Sequence, residues 1–133
     1  LVVGGLFATL CCLLLGWWFG AEHMILMTMA PKSVTSPIAM LVAEQIGGVA
    51  ALAAVFVLIT GVVGAMIGPA LLTRLGVRSP EARGMALGMT AHAVGTSVAL
   101  QESEECGAFA ALAMSLMGVA TAVFLPLAVS VIV

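Results

Sequence analysis

Residues 31–37 read Pro31-Lys32-Ser33-Val34-Thr35-Ser36-Pro37, and residues 90–97 read Thr90-Ala91-His92-Ala93-Val94-Gly95-Thr96-Ser97. These polar stretches interrupt an otherwise strongly apolar chain, and they resemble each other. Each ends in a Thr-Ser pair, Thr35-Ser36 before Pro37 in one and Thr96-Ser97 in the other. A segment carrying glutamate follows (Glu44 in one, Glu104 and Glu105 in the other), then a glycine (Gly48 or Gly107), then an Ala-Ala-Leu-Ala run (50–53 or 110–113). Paired broken segments at equivalent places in two repeats point to the binding site of a transporter.

Working outward, composition sets the surroundings. The chain has 133 residues, of which 63% are hydrophobic and 8% charged, with a mean hydropathy of +1.29. Soluble domains are roughly one-quarter charged, so this chain has too few charges to wet a globular surface. Spans of roughly 20 apolar residues cross a bilayer as helices. The reading is an all-α integral membrane protein in a single domain over 1–133, with about three full transmembrane helices and two broken or re-entrant elements. A preceding span covers 1–21, repeat 1 about 31–72 and repeat 2 about 84–133. No basic patch points to nucleic acid. Cys11, Cys12 and Cys106 lack metal-binding or disulfide-framework spacing and read as ordinary small helix residues. The first apolar run has no basic flank and no cleavage pattern, and reads as a span rather than a signal peptide.

Trp17 and Trp18 close that run at headgroup depth, and His23 reads as interfacial. Pro31 and Pro37 forbid one continuous helix through the first break. Ser36 is placed as an N-cap with Pro37 in the first helical position, and the helix stops at Gly47-Gly48. The span that follows, from Val49 to about Leu72, carries Gly61, Gly64 and Gly68 on one face, a strip that lets another helix approach. Thr73 to Arg83 reads as a water-exposed loop. It holds Arg74, Arg78 and Arg83, three of the four basic residues, which makes it cytoplasmic by the positive-inside rule. In the second broken element, Gly84 to Cys106, the glycines Gly84, Gly88 and Gly95 weaken the helix and Thr96 or Ser97 caps a new one. If both elements are re-entrant, the first dips in from outside and the second from inside, as an inverted repeat. If both cross fully, there are five spans and the repeats are parallel.

A break at membrane depth must find partners for its free backbone groups. The helix starts beyond the breaks offer N–H groups and a positive dipole end. Lys32 adds charge, Ser33, Thr35, Ser36, Thr96 and Ser97 add hydroxyls, and His92 adds a titratable donor; with Gly95 these are the candidate substrate-binding residues. They suit a small organic anion. Hydroxyls after proline and glycine are also ordinary helix caps, and a lysine can snorkel to the interface. Intramembrane ionisable residues are costly, which singles out His92. Glu44 either pairs with Lys32 or lines the cavity; Glu102, Glu104 and Glu105 form a solvated edge. No nucleophile, phosphate loop or metal motif accompanies His92, so no enzyme activity, cofactor or metal is expected.

The run Pro31 to Met40, Ile46-Gly47-Gly48, Thr60-Gly61, Gly68-Pro69, Ala82-Arg83-Gly84, His92 with Gly95-Thr96, and Gly107-Ala108-Phe109 resemble the signature of the LrgB/CidB family. The match covers about residue 30 to the end. The chain therefore looks like the C-terminal part of a family whose members have further membrane segments before it. It departs from bacterial members at Ala91, Val98, Ala110 and Ala111; at Val98 they often carry an arginine, and its absence shifts weight to Lys32 and the helix ends. The resemblance implies one of two functions. One is transport of small monocarboxylates of the glycolate, glycerate or pyruvate type, as in plastid relatives and some bacterial pairs. The other is antiholin- or holin-like regulation of murein hydrolase export with an LrgA/CidA-type membrane partner. A homodimer in a lipid bilayer, that of the bacterial cell membrane, is expected. The paired breaks favour transport.

Overall fold

The computed structural model describes residues 2–132, with the side chain of Ile132 excepted. Leu1 and Val133, the expected outer limits of the first span and of repeat 2, lie outside the described residues. Those described form six helices and no strand: α1 (Val2–Trp18), α2 (His23–Met29), α3 (Ser36–Gln45), α4 (Ala50–Arg74), α5 (Pro80–Glu102) and α6 (Glu104–Ile132). Of these, α4 and α6 are long and apolar enough to cross a bilayer. At 17 residues α1 is shorter than the roughly 20 a span needs.

The helix ends follow local chemistry. Gly47 at φ 83° closes α3: Gly48 N–H donates to Ala43 O at 2.7 Å and Gly47 N–H to Glu44 O at 3.4 Å. That is the paired end bond that a left-handed residue after a helix permits. The same pattern ends α1 at Gly20 and α4 at Gly76. The expected stop at Gly47-Gly48 is thus present. The start of α3 differs by one residue. Thr35 is the N-cap, its hydroxyl makes no capping bond, and Ser36 already lies inside the helix. Pro37, in the first turn, has no N–H needing a cap, which leaves one donor fewer to satisfy.

The expected loop over 73–83 is shorter. Ser79 caps α5, its Oγ accepting from Ala82 N–H at 3.2 Å, and Pro80 begins the helix, so Arg83 is helical. The break in the second element lies inside the stretch 90–97. It falls at His92, with φ 43° and ψ −128° inside α5. Neither Thr96 nor Ser97 caps a helix: their hydroxyls donate to His92 O at 2.8 Å and to Val94 O at 2.7 Å within the second arm.

That one residue turns α5 into a hairpin. Gly95 abuts Leu87 O, although eight residues of straight helix would separate them by about 12 Å. Arg83 bonds Glu102, which a straight helix would hold about 28 Å away. The first arm runs parallel to α6, with Gly84 against Cys106 O and Gly88 against Ala110 O. It runs antiparallel to α4, where the glycine strip receives it. A Cβ on Gly68 would meet Leu87 Cδ2 at 2.7 Å, one on Gly64 would meet Ala91 Cβ at 2.8 Å, and one on Gly61 would meet His92 Cε1 at 2.5 Å. The expected close helix approach along this face is what the structure contains.

A shorter hairpin precedes it. Residues 30–35 turn the chain between α2 and α3, and Val49 N–H donates to Thr28 Oγ1 at 2.9 Å across its base. One side packs on α4 through Val34, Ala39, Ala43, Ala53 and Val57. The other packs Met27, Ala30, Val42 and Ile46 against Leu125 and Val129 of α6. Long apolar side chains on α1, α4 and α6 remain exposed, among them Leu14, Ile67 and Phe124. Water-facing helices carry charge on that side; these faces suit hydrocarbon.

Candidate functional site

The turn of each hairpin reaches the middle of α4, from opposite ends of that helix. From the first come Lys32 and Ser33. Together with Ile59, Thr60, Val63 and Gly64 of α4, Thr90 of the α5 hairpin and Ala8 of α1, they line a cleft of about 370 Å³. Lys32 is half-buried and Ser33 buried. Lys32 Nζ donates to Ser33 Oγ at 3.2 Å. Among the described residues the one Lys or Arg to carboxylate ion pair is Arg83–Glu102, so Lys32 faces no carboxylate. Glu44 is exposed on α3 and makes no ion pair with it. A half-buried ammonium without a counter-ion is costly in a membrane protein, and a bound anion removes that cost. Two N–H groups of Lys32 and the hydroxyls of Ser33 and Thr60 are the donors at hand.

His92 plays a different part. It is 4% exposed, and its Nε2 lies 2.9 Å from Val57 O. A carbonyl only accepts, so Nε2 carries the proton and donates. The ring closes over Gly61. His92 therefore fastens the α5 turn to α4 beside the cleft and does not line it. Thr96 is buried, its hydroxyl near Met114 Sδ at 3.9 Å; Ser97 is exposed and Gly95 is packed on the opposite arm. Thr35 closes the first turn and Ser36 begins α3, both outside the cleft lining. The structure thus brings together Lys32 and Ser33 of the expected set and adds Thr60 and Thr90. Thr60 carried a signal as a hydroxyl beside Gly61, and Thr90 opens the second polar stretch.

The far end of the α5 hairpin is tied shut. Arg83 uses every guanidinium N–H: Nε to Glu102 Oε2 at 2.6 Å, Nη2 to Glu102 Oε1 at 2.8 Å and Pro69 O at 3.2 Å, Nη1 to Thr73 Oγ1 at 3.2 Å and Val77 O at 3.0 Å. One side chain joins the end of α4, the connection and both arms of the hairpin. The guanidinium hydrogen-bonded to Glu102 holds that carboxyl below its ordinary range.

Comparison with known proteins agrees with the motifs. Residues 1–131 match the LrgB-like family. The chain belongs to that family. A Bacillus subtilis relative named uncharacterized protein YxaC is 38% identical over 96% of this chain and 58% of its own length. A Staphylococcus epidermidis relative named holin-like protein CidB is 34% identical over 81% of this chain and 47% of its own. A Bacillus cereus relative named antiholin-like protein LrgB is 30% identical over 96% of this chain and 55% of its own. The chain spans about half the length of these LrgB-like relatives. No solved structure matches it.

Proposed function

We propose that this LrgB-like chain belongs to a membrane carrier of small monocarboxylates, of the glycolate, glycerate or pyruvate type, and does no chemistry on its cargo. The observation that carries this reading is Lys32, a half-buried cation without a carboxylate partner, in a cleft where two oppositely directed hairpins meet at the middle of α4. In it, α1, α4 and α6 are three spans. The hairpins with α4 and α6 are inverted repeats, as in many secondary transporters. The arginine-bearing end faces the cytoplasm of a bacterial cell, and a homodimer forms the scaffold against which the repeats move.

A second reading has the better support from the names of relatives, which are holin-like and antiholin-like; in it the chain regulates murein hydrolase export with an LrgA/CidA-type partner. One experiment separates the two. Purified protein in proteoliposomes is offered labelled glycolate, glycerate and pyruvate while escape of an inert dye is followed. Saturable uptake without dye loss is the expected result; dye loss without saturable uptake transfers the conclusion to the regulator.

A further inference from the structure

A second cleft, of about 560 Å³, lies between α1 and α2. Its lining includes Cys11, Cys12, Phe19, Ala21 and Met29, and two residues, Ala8 and Lys32, are shared with the cleft at the hairpin turns. The two spaces therefore adjoin at Lys32. From Ala8 to Phe19 the lining follows α1 for about 16 Å and ends beside Trp17, Trp18 and Glu22, all exposed. The other end of the molecule is closely packed and tied. There Gly84 and Gly88 sit against the α6 backbone, and Arg83 ties the hairpin base with five hydrogen bonds.

We infer that the α1–α2 cleft is the route by which a small organic anion reaches Lys32, entering beside Phe19 and passing Cys11 and Cys12. The inference rests on the reading of Lys32 as the anion's partner. Ala8, Cys11, Cys12 and Gly16 are small and leave space beside the larger Leu15 and Met29, and the ammonium at the inner end supplies the attraction for a negative charge. The molecule is then open at the tryptophan end and shut at the arginine end, as one state of an alternating-access cycle requires.

The native cysteines report on this route. Protein in proteoliposomes is treated with a membrane-impermeant sulfonated thiol reagent, and labelled sites are read by mass spectrometry. The expected result is label on Cys11 or Cys12, a fall in uptake, and slower labelling in the presence of whichever of glycolate, glycerate and pyruvate is taken up. Protection should reach about ten-fold at about ten times the half-saturating concentration, as one-site mass action requires. Cys106, buried at the far end, should stay unlabelled. Cysteines that do not label, or that label at one rate with or without substrate and leave uptake intact, would overturn the route. If Lys32→Gln still impairs uptake in that case, the anion site stands and its access lies elsewhere. If Lys32→Gln takes up substrate like the parent, the site itself fails and the route with it.

Discussion

At the scale of single residues, charge and backbone decide what the site can do. Lys32 is the one cation in the cleft, and a charged hydrogen bond contributes about 1.5–3 kcal/mol. Lys32→Gln keeps length and polarity but loses the charge. The half-saturating concentration for uptake should rise by about ten- to a hundred-fold, measured in proteoliposomes, while the thermal midpoint of the substrate-free protein should not fall, because the uncompensated charge is gone. His92 makes the opposite kind of contribution. In an ordinary helix interior glycine is worse than alanine by about 1 kcal/mol. At φ 43° and ψ −128° the order should invert, because a backbone conformation so sparsely populated by residues with a Cβ costs them about 1–3 kcal/mol. Both substitutions lose the bond to Val57, so the difference isolates the backbone. Thermal unfolding in detergent should find His92→Gly more stable than His92→Ala.

At the scale of elements, glycine placement explains both what could be read from the sequence and what could not. The first hairpin was legible because Pro31 and Pro37 break a helix whatever packs on it, and Gly47 stops one. The strip Gly61, Gly64 and Gly68 was legible because its spacing puts it on one face. In the second element the same residue type misled. Gly84, Gly88 and Gly95 read as weak points, yet each is small because a neighbouring backbone lies on it. The turn instead falls on a histidine that α4 holds by a hydrogen bond, and no local pattern announces a tertiary bond. The same distinction sets a stability contrast. A methyl on Gly88 meets the Ala110 carbonyl, which cannot move without moving α6, whereas one on Gly68 meets the tip of Leu87 at 2.7 Å. Overpacking costs typically about 1–3 kcal/mol and sometimes more. Gly88→Ala should fall at or above the top of that range and Gly68→Ala near its bottom, as read by folded yield and thermal midpoint.

At the scale of the whole molecule, two hairpins meet at one α4 segment, but among the described residues only one base is tied by an ion pair. Glu102, held below its ordinary pKa by Arg83, stabilises the folded state fully above the value it has in the unfolded chain. That contribution is lost as pH falls through its lower folded value. Stability should therefore drop on acidification below about pH 4, the ordinary carboxylate range, and Glu102→Gln should flatten that part of the curve while lowering the plateau at neutral pH. Thermal midpoints across a pH series would show it, and an unchanged acid limb in Glu102→Gln would rule the pair out as its cause. The same pair bears on function. If the arginine end must open for the anion to leave, the clamp opposes that step, and loosening it shifts the population towards the open form. Glu102→Gln should then retain saturable uptake with an altered maximal rate and a half-saturating concentration that changes in step with the shifted population. A holin-type pore has no such cycle. There, loosening the hairpin base should raise dye leakage, with no saturable component to shift. The two readings thus diverge at a residue far from the cleft, and the kinetics of Glu102→Gln would distinguish them independently of any substitution at Lys32.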